Sequence, residues 1–381
     1  MAQVAWYNAA QIEQMVWQEN EYGSYARRYM LPLLLNGATP YVANVQTELL
    51  VLTVDGIPLP VTVNEAEYNN SYVCSPYTHY VSYAEEELIM LERPRLEKAL
   101  ALLLRGIGKG LRRIHFNRVV QINNWLVSTN LYPSLTAEQV EAVHKAVHAR
   151  YPKHVISWRS LNEVTTPIIQ TTLRQQRYRL IPSRQVYLFD HQTGVNARTR
   201  WVVKRDRRLI DAGRYEVVGP DDIGEHDIAR IAELYRMLYI DKYSQHNPQF
   251  TERFFRLARQ ERLLHMYGLR KDGQLDAVLG FFGRDAVMTT PLFGYDTTLP
   301  AETGLYRMLS VLLIELSATR RQLLHESSGV GQFKRNRGAY GALEVSAVYD
   351  RGCSYAIRCG WWLLEQLLYR IGVPLIRKLK L

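Results

Sequence analysis

One strand–helix–strand pattern occurs twice in this chain and constrains the fold more than any other feature of the sequence. In the first half, the strand-like HVISW is followed by the helical TTPIIQTTLRQQRY and the strand-like RQVYLFD. In the second half, QLLHESSG, VGQFKRNRGA and LEVSAVYD follow in the same order with similar spacing. A repeated element order is typical of internal duplication, even where few residues are identical. We therefore expect two similar domains in tandem.

The first half reads as a mixture of strands and helices. Two β-branched runs flank Asp55-Gly56, a dipeptide that favours a tight hairpin turn. A further strand is predicted near residues 72–74, and a helix is predicted to begin at Pro94. A capping-box pattern, in which a threonine precedes Gln139 by three residues, predicts the start of another helix.

The second half has the cleaner order ααβββαβαβ. The two halves together predict an α/β fold with mixed, mostly antiparallel sheets flanked by helices. We expect an N-terminal domain at 1–197, a basic connecting helix at 198–212, a C-terminal domain at 213–353, and an amphipathic helix with a basic tail at 354–381. The arginine-rich connecting helix suits either a solvated surface or one that faces phosphate or RNA.

Length and composition exclude several classes of protein. The chain has 381 residues, 47% of them hydrophobic, which is enough to bury the cores of two domains. Its three cysteines form no CxxC pair, so neither a disulfide framework nor a cysteine-based zinc site is expected. No signal peptide or transmembrane segment is evident, and we expect a soluble, cytoplasmic protein. The formal net charge of +10 suits anionic partners without identifying one.

The segment 360–381 is an apolar run with two tryptophans and a basic end. Such a segment is either a helix docked on its own domain or a helix that rests on a membrane surface. The sequence leaves both interpretations open.

The most informative stretch runs from 294 to 351 and contains GYDTTLPAETGLYR, LLHESSGVGQFKRNRGAYG and EVSAVYDR. These phrases and their order resemble the GNAT acyltransferase superfamily, in particular its tandem FemAB-like or cellulose-synthesis-associated branch. The resemblance covers residues 213–350 well and residues 40–190 by element order only. It implies tandem domains, each with a sheet that splays between its fourth and fifth strands, and acyl transfer to an amine in the second domain.

The resemblance implies a donor site at residues 300–306. There, Thr303 and Gly304 would leave backbone N–H groups open to the donor at the start of a helix. The family's glycine-rich phosphate loop is absent, and Glu302 places a carboxylate where a pyrophosphate would lie. This departure leaves acyl-CoA, an acyl-carrier protein and an aminoacyl-tRNA open as donors.

A second group of candidate donor contacts lies around the next strand end. Ser327, Ser328 and Gly329 either line the splayed crevice or simply cap the following helix. Lys334 and Arg337 crowd that helix with like charge, which suits either a bound anion or a solvated basic face.

Acyl transfer to an amine needs a group that takes the proton of the amine and an acid for the leaving group. Glu326 and His325 are adjacent at the strand end, so only one of them points into the crevice. Asp296, after the preceding strand, is the other candidate base. Tyr239, one of three tyrosines spaced four residues apart, is either a core residue or the acid. We expect direct attack in a ternary complex rather than a covalent acyl-enzyme.

Candidate acceptor contacts are aromatic. Tyr295 lies next to the candidate carboxylate, and His79 and Tyr80 belong to the polar-aromatic segment CSPYTHY of the first half. Alternatively, His79 and Tyr80 are residues of a turn or part of an aromatic packing cluster. Arg159 and Asn162 take the place that matches Ser327 but lack its glycine, so we expect the first domain to be catalytically degenerate.

The sequence thus predicts an N-acyltransferase with no tightly bound cofactor, an acyl or aminoacyl donor and a small amine acceptor. An RNA-binding protein and a membrane-peripheral protein without catalytic activity are the alternatives, since a basic, tyrosine-rich chain suits both.

Overall fold

A computed structural model describes residues 2–88, 93–191 and 197–375 of the chain. Strands and helices alternate through both halves, as the periodicity of the sequence predicts. The strands within the described residues are β1 (Val4–Tyr7), β2 (Glu48–Val54), β3 (Ile57–Asn64), β4 (Val119–Ile122), β5 (Val155–Leu161), β6 (Arg179–Phe189), β7 (Glu216–Val218), β8 (His265–Lys271), β9 (Gln274–Arg284), β10 (Val287–Tyr295), β11 (Leu323–His325) and β12 (Tyr340–Tyr349).

The helices flank these strands. Three π-helical segments adjoin helices within the described residues: Thr78–Ser82 precedes one helix, and Arg236–Tyr243 and Leu368–Gly372 each follow one. The α-helices within the described residues are α1 (Glu21–Asn36), α2 (Tyr83–Glu87), α3 (Pro94–Arg113), α4 (Ala137–Arg150), α5 (Pro167–Gln175), α6 (Ala197–Asp211), α7 (Ile228–Tyr235), α8 (Glu252–Gln260), α9 (Leu305–Arg320), α10 (Gly331–Arg335) and α11 (Tyr355–Leu367).

The chain forms two compact units. The first extends to Ser183 and also includes His246–Gln249 and Glu344–Leu375, and the second contains Arg184–Gln245 and Phe250–Leu343. The expected domain limits thus remain a prediction, but the closing strand and α11 group with the first unit. The basic tail at 376–381 lies outside the described residues.

The sheet of the first unit has the order β1-β2-β3-β4-β5-β12. All its neighbouring strands are antiparallel except β4 and β5, which run parallel from Val119↔Val155 to Ile122↔Trp158. A core of aromatic and β-branched side chains, with Trp361 of α11 at its centre, packs against this sheet.

The second unit repeats this arrangement with the order β6-β11-β10-β9-β8-β7. Its one parallel pair among the described strands is β10 with β11. Apolar side chains of α9, such as Leu309 and Leu313, fill the core on the sheet. The mixed, mostly antiparallel sheets expected from the sequence are therefore confirmed in each unit.

Local predictions mostly agree with the structure. The hairpin around Asp55-Gly56 and the capping box of Thr136 and Gln139 are both present. The strand predicted at residues 72–74 is wrong, because this segment forms turns. The backbone carbonyl of Val73 accepts hydrogen bonds from the side chains of Asn124 and Arg159 rather than from a neighbouring strand.

Candidate active site

The candidate site of the second unit lies where β10 and β11 part. The two strands pair at only three positions, from Val287↔Leu323 to Thr289↔His325. A register irregularity between Thr289 and Leu292 then bends β10, which continues to Tyr295 while β11 ends. Beyond Thr289, the edge of β10 that faces away from β9 has no paired strand among the described residues, and this leaves a crevice.

Glu326 is the first residue after β11 and lies at the mouth of this crevice. Its backbone N–H donates to Tyr187 O at 2.9 Å, which fixes its place beside β6. Ser327 follows with a φ of 58°, a left-handed conformation, and its carbonyl accepts a hydrogen bond from Tyr187 N of β6 at 3.0 Å.

The carboxylate of Glu326 is poorly stabilised. Its Oε2 is buried and accepts no hydrogen bond from any described residue. Burial raises the pKa of Glu326 above its ordinary value, although the charges of Lys334 and Arg337 oppose this effect. A half-buried carboxylate with a raised pKa and an unoccupied oxygen can accept a proton from a bound ligand.

Lys334 holds the turn after Glu326 in place. Its ammonium donates to two backbone carbonyls, Glu326 O at 2.6 Å and Ser328 O at 2.9 Å. The side chain is buried, and burial lowers the pKa of Lys334 to about 8, an effect that Glu326 opposes and Arg184 strengthens. Lys334 therefore positions the base candidate through the backbone.

Aromatic rings line the crevice opposite Glu326. Tyr306, in the first turn of α9, packs against Phe293, Tyr295 and Phe333, with ring centroids 5.1, 5.9 and 4.8 Å apart. Burial and the nearby charge of Glu326 raise the pKa of Tyr306 well above its ordinary value. The phenol therefore keeps its proton at neutral pH and can donate a hydrogen bond to a bound ligand.

Two further tyrosines reach this region from the π-helical turn after α7. Tyr239 stacks on Tyr235 at 4.7 Å, and Tyr243 follows it at 6.4 Å. Gly294 in β10 permits this approach, because a Cβ there would lie 2.7 Å from the backbone carbon of Leu234. The π-helical turn, a feature often found at functional sites, thus faces the end of β10.

The other candidate bases are placed less favourably. His325 is buried, and its Nδ1 accepts a hydrogen bond from Ser327 N at 3.1 Å. The carboxylate of Asp296 accepts one hydrogen bond from the backbone N–H of Thr298 and another, on Oδ2, from the guanidinium of Arg230 at 2.5 Å. Burial acts to raise the pKa of Asp296, but these hydrogen bonds outweigh it and hold the pKa below its usual range. A carboxylate held in its charged form is a weak base.

The predicted donor segment forms a short 3-10 turn before α9. Gly304 has a φ of 77°, and a Cβ there would lie 2.7 Å from Leu209 Cδ1, so glycine is needed on both counts. Thr303 is half-buried, and its N–H donates to Pro300 O. The first N–H groups of α9, from Leu305 onward, follow directly and point along the helix axis toward this turn.

The basic side chains of α10 bind protein groups. Arg335 donates to the hydroxyl of Tyr187 at 2.7 Å, and the buried Arg337 pairs with Asp206 of α6. Asp206 is fully buried, and its Oδ1 also accepts a hydrogen bond from Arg307 Nε at 2.7 Å. The connecting helix therefore belongs to the second unit, and its Asp206 neutralises part of the charge of Arg307 and Arg337.

The two predicted acceptor residues of the first half lie in the first unit. His79 Nε2 is 2.9 Å from Ser183 Oγ, and the hydroxyl of Tyr80 is buried. Both line a small pocket that also contains Arg159 and Ser346.

Three residues of the site were not assigned a role on the basis of the sequence. Tyr187 supplies the backbone partner of Glu326, and its hydroxyl would lie 2.0 Å from a Cβ at Gly331. Lys242 donates to the hydroxyl of Tyr295 at 3.1 Å. Of these three residues, Tyr306 alone could have been found from the sequence, because it is the last residue of the segment predicted to bind the donor.

No family model and no curated protein sequence matches the chain. Among solved structures, a tandem GNAT protein from the clavulanic acid biosynthesis pathway has a TM-score of 0.37 at 9% identity, covering 93% of this chain and 100% of its own. FemX has a TM-score of 0.43 at 7% identity, covering 56% of this chain and 78% of its own. The L-PGS protein of Bacillus licheniformis has a TM-score of 0.42 at 12% identity, covering 60% and 78%.

These TM-scores are below 0.5, so the chemistry proposed below depends on the residues of this chain alone. The parted parallel strands and the element order stand independently of any comparison. The two similar mixed sheets expected from the sequence are present, and a tandem GNAT protein and FemX are among the solved structures that the chain is similar to.

Proposed function

We propose that the protein is an N-acyltransferase that moves an acyl or aminoacyl group from an activated donor to an amine. The observation that carries this proposal is the carboxylate of Glu326, which has a raised pKa and an unpartnered oxygen at the point where β10 and β11 part. Such a group is suited to accept a proton in a site partly shielded from water.

The reaction is direct attack in a ternary complex. The nitrogen of the amine attacks the donor carbonyl carbon, a C–N bond forms, and the bond from that carbon to the sulfur or oxygen of the leaving group breaks. Glu326 takes the proton from the nitrogen. A neutral phenol, Tyr239 or Tyr306, gives a proton to the leaving group as the bond to that group breaks.

The donor is proposed to lie along the parted strands toward the start of α9. Thr303 and Gly304 shape the turn there, and Ser327, Ser328 and Gly329 border the crevice on the other side. Lys334 and Arg337 contribute positive charge beneath the crevice while they bind protein groups. This charge suits acyl-CoA, an acyl-carrier protein or an aminoacyl-tRNA, and the site does not distinguish them.

The acceptor amine is proposed to approach across Tyr295, whose ring already lies 5.6 Å from the ammonium of Lys242. Tyr295 also packs beside Tyr306 with ring centroids 5.9 Å apart, which supports it as a contact for the acceptor near Glu326. His79 and Tyr80 stay predicted acceptor contacts, and residues 360–381 stay a predicted membrane contact. Within the described residues, no helix combines the length and the apolar character needed to cross a bilayer.

The test is an intact-mass screen for acylated amine. The full chain is offered acyl-CoA, acyl-carrier protein and charged tRNA, each with a panel of amines. Transfer is expected with one donor class, and Glu326→Gln should lower kcat by about 10²–10⁴-fold, the usual contribution of a general base.

Glu315→Gln is the matched control. Glu315 is an exposed carboxylate on α9 that pairs with Arg207, so its removal should leave kcat unchanged. Wild-type turnover in Glu326→Gln, or equal losses in both variants, would remove the site assignment. Salt-sensitive retention on RNA with no transfer from any donor would favour the non-catalytic alternative.

A further inference from the structure

The helix α3 has two faces that differ in their partners. One face packs on the first unit, where a Cβ at Gly108 would lie 2.8 Å from the Tyr77 hydroxyl, and Leu111 is buried. The opposite face is exposed and includes Leu102 and Leu103, which are 69% and 49% exposed. Leucines this exposed on adjacent positions of one helix have no structural role within the unit.

The exposed face of α3 is organised in two stripes. Ala99, Leu103, Gly106 and Gly110 recur every three or four residues. Apart from the helix's own nearby backbone, no described residue lies within 4 Å of a Cβ built on either glycine. Interior helical glycines cost about 1 kcal/mol each relative to alanine, and here no packing requires them. This stripe is apolar and open.

The second stripe is basic and lies beside the first. This stripe follows Leu102 along the helix at intervals of three or four residues and consists of Lys98, Arg105 and Lys109. The whole helix has six basic residues and one acidic residue, a net charge of +5. Glu85 neutralises Arg105 through an ion pair at 2.6 Å. Lys98 and Lys109 are exposed on either side of Leu102 along the helix.

A second helix of the same unit adds aromatic residues next to α3. A Cβ at Gly360 of α11 would lie 2.7 Å from Ile114 Cδ1 and 3.3 Å from Leu111 Cδ2, so the two helices are neighbours. Trp361 of α11 is buried, whereas Trp362 and Leu363 are 51% and 44% exposed.

We propose that the outer face of α3 docks the protein on the surface of an anionic lipid bilayer. Apolar side chains that enter the interface and lysines that reach the lipid phosphates are the two parts of an interfacial helix. A nucleic acid would engage the lysines but leave the leucines without a partner. A second copy of the same surface would bring like charges together.

The test is vesicle flotation of the full chain. Vesicles of phosphatidylcholine with phosphatidylglycerol should carry the protein upward, and vesicles of phosphatidylcholine alone should carry much less. Salt should weaken the binding, because surface charges are screened. Leu102→Ser with Leu103→Ser should lower partitioning by about tenfold, and Lys98→Glu with Lys109→Glu by a similar factor, as expected for a few buried methylenes or two surface cations.

The matched control is Val164→Ser with Ile168→Ser. Val164, just before α5, is 45% exposed, and Ile168, in α5, is 57% exposed. Both belong to the same unit, and their replacement should leave vesicle partitioning unchanged. All six positions are exposed or project outward, and an unchanged thermal unfolding midpoint verifies the fold of each variant. Three results would overturn the proposal. The control variant loses as much vesicle partitioning as the test variants, the wild type binds neutral and anionic vesicles equally, or the protein binds RNA but not vesicles. Transfer activity is not part of the readout, so this test is independent of the proposed function.

Discussion

The two units build the same backbone feature and place opposite charges on it. In the first unit, Trp158 is the last residue of β5 paired with its parallel neighbour, and Arg159 follows it. In the second unit, His325 is the last such residue of β11, and Glu326 follows it. The next residue is a serine in the left-handed region in both units, Ser160 with a φ of 59° and Ser327 with a φ of 58°.

The surroundings of these two charges differ as much as their signs. Arg159 is buried, and its guanidinium donates to Val73 O at 3.0 Å and to Asn124 Oδ1 at 3.3 Å. The side chain of Glu326 leaves one oxygen without a donor from the described residues. The same parting of strands therefore binds a charged side chain firmly in one unit and leaves a carboxylate with a raised pKa and an unpartnered oxygen in the other.

The largest expected effect is on stability in the first unit. Arg159→Met should lower the free energy of unfolding by about 3 kcal/mol, because buried backbone and amide oxygens lose a charged donor. Urea unfolding measures this change. The kcat of the folded fraction should stay at the wild-type value, and a loss of kcat comparable to that of Glu326→Gln would contradict the division of roles between the units.

The corresponding change in the second unit should not destabilise it. The raised pKa of Glu326 means that its contribution to stability is present at low pH and is lost as the pH rises through that pKa. Glu326→Gln removes the buried charge, so at neutral pH its free energy of unfolding should equal that of the wild type or exceed it by about 1 kcal/mol. A clear loss of stability would show that Glu326 has a structural role like that of Arg159.

A smaller effect is expected at the competing carboxylate. Asp296 has a lowered pKa, so its ion pair with Arg230 stabilises the fold above that pKa and is lost as the pH falls through it. Asp296→Asn should cost about 1 kcal/mol of stability and reduce kcat less than about fivefold. A drop of kcat as large as that of Glu326→Gln would move the base to Asp296.

Several parts of this comparison were predictable from the sequence. The duplicated strand–helix–strand order follows from the periodicity of the sequence, and the segment around Glu326 was singled out by its resemblance to the GNAT superfamily. The degenerate character of the first half stays a prediction. Gly304 was placed correctly at the start of α9, because a helix whose first turn lacks a capping side chain depends on such a residue.

Other parts depend on backbone geometry that residue patterns do not encode. The sequence matched Arg159 and Asn162 to Ser327, whereas the pairing matches Ser160 to Ser327 and Arg159 to Glu326. The shift arises because the correspondence is set by the last residue that pairs with the parallel neighbour, and strand pairing is not visible in a one-dimensional pattern. In the same way, the spacing of Lys334 and Arg337 predicted anion contacts, but tertiary contacts give them the carbonyl of Glu326 and the carboxylate of Asp206 as partners.

The most direct test of the central claim is the pH dependence of kcat/KM for amine acylation by the wild type and by Glu326→Gln. If Glu326 is the base, the wild-type rate should rise with pH through an apparent pKa above the ordinary glutamate value of about 4.3, and this limb should be absent from the variant. An acidic limb of the same position and slope in both proteins would contradict the assignment of Glu326 as the proton acceptor.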